Sequence, residues 1–259
     1  MTDPVLEFSL DGPGKERLVV HRDGTASYLV LSAAHPAWAS RAGLFRTTLT
    51  PKQTEDAASI ARELVATSPR PRGRSGPVVT ATHDDREATH PLEGPAGPAA
   101  ELLSDLIEHV REHPVAVVTF AAEAVNRVDV RLKFESIGAE PVDLRIARDS
   151  CRVSIRSGDT WNTVWLSTAS TRLALVAQPE GFLDGVNSMA TLEPGMVART
   201  MLPGALSDAG ESFGEVSVEL HGWLDIEGLE SDSDDSDPFE DSLPGAWPFR
   251  LASVPFPWP

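Results

Sequence analysis

Residues 128–146 read VDVRLKFESIGAEPVDLRI. Val128, Val130, Leu132 and Phe134 alternate with Asp129, Arg131, Lys133 and Glu135, and after Gly138-Ala139-Glu140-Pro141 the alternation resumes with Val142, Leu144 and Ile146. Successive side chains of a strand point to opposite faces, so a period of two predicts strands with one face in a core and the other in water. A short turn between two such runs predicts antiparallel pairing. The same rhythm recurs at 152–156, 163–167, 173–176, 197–202 and 215–222, punctuated by the turn pairs Gly158-Asp159 and Pro194-Gly195. With no helical pattern between them, these runs predict a β-sandwich over 125–222.

Upstream the pattern mixes strand and helix. Residues 5–10, 17–22, 28–32 and 43–49 read as strands, and Asp23-Gly24 is a dipeptide that favours a tight hairpin with positive φ. Thr50 is then an N-cap, Pro51 suits the first helical position and Gln53 completes a capping box. Ala57, Ile60, Ala61, Leu64 and Val65 recur at the helical period, so one face of this helix can cover a sheet. Residues 67–77, TSPRPRGRSGP, are read as an exposed connector. A strand at 78–82, a second amphipathic helix at 99–112 with Leu102, Leu103, Leu106, Ile107 and Val110 on one face, and a buried strand at 115–120 follow.

The predicted fold is therefore α+β. A meander and helix occupy 1–66, a linker 67–77 and a strand-helix-strand unit 78–124; an immunoglobulin-like sandwich spans 125–222, and 223–259 form an acidic and aromatic tail. Over about residues 125–222 the succession of strand, proline-bearing turn, strand, tryptophan strand and Pro-Gly turn resembles the immunoglobulin-like modules of bacterial intracellular protease inhibitors. That resemblance implies a binding fold.

The net charge is −17, from 22 basic and 39 acidic residues. It is unevenly spread: residues 78–124 carry 2 basic against 9 acidic groups, and 223–259 carry 1 against 9. Binding a phosphate backbone or an anionic membrane needs clustered cations, so nucleic acid and lipid are not expected partners, whereas a basic protein is. The most apolar run, 115–122, is far shorter than the roughly 20 residues needed to span a bilayer. The opening Met1-Thr2-Asp3-Pro4 lacks a signal-peptide pattern, and the single cysteine, Cys151, suits a reducing compartment; both point to the cytoplasm.

Candidate chemistry is sparse. His109-Val110-Arg111-Glu112-His113 matches the H-x-x-E-H arrangement of inverted zinc peptidases, which makes His109 and His113 candidate metal ligands and Glu112 a general base in a zinc-dependent hydrolase. Pro114 is expected to end the helix and leave His113 on a frayed terminus. His83, Asp84, Asp85 and His90 form a second polar group, read as solvated. The run Ser231 to Asp237 departs from a calcium loop, with Asp237 where glycine is required and Leu243 where glutamate is required. Cys151 reads as a structural thiol, and Trp161 and Trp165 as packing residues on one sheet face. No phosphate-binding glycine loop or nucleophile elbow occurs, and no cofactor is expected. Trp247, Phe249, Phe256 and Trp258 are the candidate binding residues, either clasped on the protein's own sandwich or displayed as a linear motif. The functional expectation is a non-catalytic interaction, inhibitor or immunity-type protein.

Overall fold

A computed structural model describes residues 4–10, 15–32, 39–67, 78–91, 97–126, 129–146, 151–157, 160–166, 176–178, 181–182, 188–202, 214–227 and 246–257. The elements in chain order are β1 (Pro4–Leu10), β2 (Lys15–His21), β3 (Thr25–Ser32), β4 (Arg41–Thr48), α1 (Pro51–Ala66), β5 (Val78–His83), β6 (Arg86–Pro91), α2 (Gly97–Arg111), β7 (Pro114–Ala124), β8 (Val130–Ser136), β9 (Val142–Ile146), β10 (Cys151–Ser157), β11 (Thr160–Leu166), β12 (Val176–Gln178), β13 (Gly181–Phe182), β14 (Ser188–Leu192), β15 (Val197–Leu202), β16 (Glu215–Asp225), β17 (Trp247–Ala252) and β18 (Phe256–Pro257). The described residues thus form antiparallel sheets with two helices, an α+β fold in the broad sense. None of the described helices is long and apolar enough to cross a membrane. Contact density divides the chain into two units, one of residues 1–34 and 44–115 and one of residues 35–43 and 116–259.

In the first unit the strands run β4-β3-β2-β1-β5-β6. Leu6, Phe8, Leu18, Val20, Val79 and Ala81 are buried, as the period of two requires. α1 begins with the expected capping box, Thr50 Oγ1 accepting from Gln53 N at 3.3 Å and Gln53 Oε1 accepting from Thr50 N at 3.0 Å. Its buried face, Ala57, Ala61 and Leu64, packs on β1, β5 and β6, and α2 packs on β3 and α1.

The tight turn appears elsewhere than expected. At the β2–β3 hairpin Gly24 N donates to His21 O at 3.0 Å, and of the turn residues only Gly24 has positive φ, at +84°. A three-residue loop ending in a left-handed glycine therefore replaces the two-residue turn expected from Asp23-Gly24, with the Asp23 carboxylate accepting from Thr25 N at 2.9 Å. The two-residue turn occurs instead at Asp84-Asp85, with φ of +48° and +59°. It joins β5 to β6, a strand whose charged outer residues Arg86 and Glu87 hid it from the hydrophobic pattern.

The second unit contains two sheets. In one the order is β13-β12-β15-β8-β7, in the other β11-β10-β16-β9-β14. Gly43 lies flat on β7: its φ is +137°, and a Cβ there would stand 2.1 Å from Ala116 O. β16 organises the second sheet. Glu215–Glu219 pairs with β10 and Gly222–Asp225 with β9, while β18 and β17 pair along its other edge. Gly222 interrupts the buried face of this strand for a reason of space. A Cβ there would stand 2.1 Å from Arg145 O and 2.8 Å from the Phe249 ring, so only hydrogen lets the neighbouring backbone and the aromatic ring close over the strand.

Candidate functional site

The second helix presents two stripes with the same spacing, offset to opposite sides. Ala99, Leu103, Leu106 and Val110 are buried, whereas Glu101, Asp105, Glu108 and Glu112 are exposed. The buried stripe and one polar anchor hold the helix in place. Arg111, the last helical residue, donates from Nη2 to the Tyr28 hydroxyl at 2.8 Å, its guanidinium lies 5.0 Å from the Tyr28 ring centroid, and Nη2 is 4.0 Å from the Glu16 carboxylate. The Tyr28 hydroxyl in turn donates to Glu16. Burial first, and then the Glu16 carboxylate, push the Tyr28 hydroxyl far above its ordinary range, so it remains a proton donor. Sequence reasoning missed this cluster because Arg111 and Tyr28 are 83 residues apart.

The exposed stripe has no such anchoring. No acid lies in the first turn of α2, where the helix dipole would favour one; Glu108 lies toward the end where the dipole opposes negative charge. Glu101 and Asp105, Asp105 and Glu108, and Glu108 and Glu112 are like-charged neighbours three or four residues apart, each pair costing roughly 0.2–0.5 kcal/mol. Among the described residues Glu101, Asp105 and Glu108 have no ion-pair partner, and Glu112 has only His109 Nδ1 at 3.9 Å.

Several acids elsewhere are matched to cations. Glu7 meets Arg17 at 3.0 Å, Glu55 meets Arg62 at 2.7 Å, Glu123 meets Arg131 at 2.8 Å and Glu135 meets Lys133 at 2.6 Å. On the polar face of β16, Glu219 meets two guanidinium groups and an imidazole: Arg250 at 2.6 Å from β17, Arg152 at 3.7 Å from β10 and His221 at 3.2 Å. Burial pushes the Glu219 carboxyl up, but hydrogen bonds from His221 and Arg250 and their charges outweigh it and hold the group down at about 2. Nearby, the Arg156 guanidinium pairs with Glu215 at 3.0 Å, and that of Arg145 lies 5.2 Å from the Trp223 ring centroid.

The H-x-x-E-H pentapeptide straddles the end of α2. The helix stops at Arg111 and Pro114 opens β7, but His113 is not frayed: its N–H donates to Val110 O at 3.0 Å and its carbonyl accepts from Arg46 N at 3.1 Å. Backbone bonds on both sides replace the helical bonds that Pro114 forbids. The His109 and His113 rings meet edge to face with centroids 5.3 Å apart. Among the described residues no group of three or more His, Cys, Asp or Glu is arranged to hold a metal.

The remaining candidates are dispersed. His90, expected to be solvated, is buried on β6, with Nε2 2.9 Å from Leu64 O at the end of α1. That carbonyl also accepts from the C-cap Thr67 N at 3.1 Å, so the buried ring serves its second lone pair. His83, Asp84 and Asp85 sit at the opposite end of the β5–β6 hairpin. Trp247 is half-buried and Phe249 buried on β17, opposite Leu224 and Gly222 of β16, while Phe256 is half-buried on β18. Trp258 and the acidic run at 231–237 lie outside the described residues. Cys151 opens β10, and Trp161 and Trp165 on β11 stand in register with Arg156 and Arg152. Comparison of the chain with protein-family models, curated proteins and solved structures finds no match.

Proposed function

We propose that this chain is a non-catalytic, cytoplasmic protein–protein interaction module of the inhibitor or immunity kind, engaging a basic partner through the carboxylate stripe of α2. One observation carries the reading: Glu101, Asp105 and Glu108 form a row without cationic partners among the described residues, disfavoured by their mutual repulsion and, at Glu108, by the helix dipole. A partner supplying lysine and arginine relieves that cost, and its own charge steers the encounter. The helix is held rigidly enough to present the row, by its buried leucines and by Arg111. An immunoglobulin-like arrangement of residues 125–222, a scaffold common in binding modules, belongs to the same reading and is supported by the antiparallel pairing of β8 with β15 and of β16 with β9 and β10.

The test uses fluorescence anisotropy of a labelled Lys/Arg-rich peptide with the full chain. The triple variant E101Q/D105N/E108Q is expected to weaken binding about tenfold and to flatten its salt dependence. A control, E55Q/D56N/E63Q on α1, removes the same charge elsewhere and is expected to leave most of the affinity. Equal losses in both variants would mean that net charge alone is sensed, and would overturn the assignment to α2.

A further inference from the structure

At the end of α2, His109 and His113 are four residues apart; the Nδ1 of His113 has a backbone acceptor, and that of His109 faces a more distant carboxylate. His113 Nδ1 is 3.1 Å from the His109 carbonyl oxygen, so it donates there and Nε2 carries the lone pair. His109 Nδ1 lies 3.9 Å from the Glu112 carboxylate, beyond hydrogen-bond reach, so there only the nearby negative charge favours a proton on the same nitrogen. An imidazole whose Nδ1–H is held by a carbonyl or carboxylate is the usual form of a metal-ligating histidine, because that bond sets the tautomer and orients the ring.

The spacing agrees. Two imidazoles bound at about 2.1 Å to one tetrahedral ion place their ring centroids about 5 Å apart. The observed separation is 5.3 Å. His113 is exposed and the His109 side chain 32% exposed, so an ion can reach both. The backbone of His113 is fixed by Val110 and Arg46, and the C-terminal end of a helix, with Glu108 and Glu112 beside it, is electrostatically favourable for a cation.

We infer that His109 and His113 form a two-imidazole chelate for a borderline-soft divalent ion of the zinc, nickel or copper(II) type. Glu112 acts as the carboxylate behind His109, and the open coordination positions are left to water or to a ligand from a second molecule. The two imidazoles take no part in the docking proposed for α2, although Glu108 belongs to that row and also lies beside the chelate. It is also not the peptidase arrangement of the pentapeptide, since the protein supplies two ligands and no third.

Isothermal titration of the metal-free full chain with Zn2+ alone tests it. One ion per chain is expected, with affinity weakened more than about tenfold in both H109Q and H113N, since loss of even an outer partner of a metal ligand costs about 10–100-fold. Asparagine at 113 keeps a nitrogen donor for the His109 carbonyl while deleting Nε2, so a loss in H113N with unchanged far-ultraviolet dichroism reports on coordination rather than folding. In Cu2+-loaded protein, electron paramagnetic resonance is expected to show two nitrogen ligands, reduced to one in either variant. Unchanged Zn2+ affinity in either variant, or no saturable binding, would overturn the inference.

Discussion

The outward face of α2 and the polar face of β16 both carry carboxylates, and they treat them in opposite ways. On β16, Glu219 is shared among Arg152, His221 and Arg250, supplied by three adjacent strands. On α2, Glu101, Asp105 and Glu108 meet no cation among the described residues. Glu219 is bound internally, and the row on α2 is displayed. Charge that is compensated within the fold contributes to stability; charge left unpaired at a cost is available to a partner. The net charge of −17 hides this difference, because it weighs both kinds of acid equally.

The largest expected effect comes from breaking the compensated side at its geometric root. Gly222→Ala places a methyl group 2.1 Å from Arg145 O and 2.8 Å from the Phe249 ring, so β9 or β17 must move away from β16 and take Arg250 with it. A loss of about 3 kcal/mol or more in urea unfolding is expected, as for other severe overpacking of a core. A loss below about 1 kcal/mol would show that the strand relaxes easily and that Glu219 is not held by register.

Acid separates the two faces more gently. The Glu219 carboxyl is held at about 2 in the folded chain against 4.5 as its ordinary value, so its contribution is fully present above pH 4.5 and is lost as pH falls from there toward 2. Because its cationic partners are partly exposed, the effect is expected to be about 1 kcal/mol. In unfolding experiments across this range, E219Q should reduce the acid-induced loss of stability, while the α2 triple variant should leave Glu219's share of that loss in place. Equal flattening by both variants would erase the contrast between the faces.

The smallest effect has the opposite sign. Glu108→Gln removes two like-charge neighbours, Asp105 and Glu112, and relieves the helix dipole, so the variant should be about 0.5 kcal/mol more stable at low salt, with the gain shrinking as salt rises. A variant that gains stability while losing affinity for a basic peptide would mark Glu108 as retained for binding. One that loses stability would mean that Glu108 has a compensating partner in the folded chain.

Much of the fold could be read locally. The alternation at 130–134 and 142–146, the capping box at Thr50 and Gln53, and the leucine stripe of α2 each depend on residues a few positions apart, and each appears where expected. β6 could not be read this way, because its turn uses two aspartates with positive φ where glycine or asparagine is the usual signal. Of the candidate site, the His109 and His113 pair was visible as a spacing, and the acid of residues 78–124 was visible as composition. That the acids of α2 lack cations could not be seen, because absence of a partner is a property of everything else in the unit.

What the sequence by itself determined was the periodicity, and with it the type and buried side of the regularly patterned elements. Tertiary structure alone decided the company of each charged group. Arg111 reaches Tyr28 across 83 residues, and Glu219 meets Arg250 across 31. The physical reason is that side-chain direction follows from backbone geometry within one or two turns of chain, whereas a cross-strand neighbour follows from register, which is set only when distant segments close together and pack.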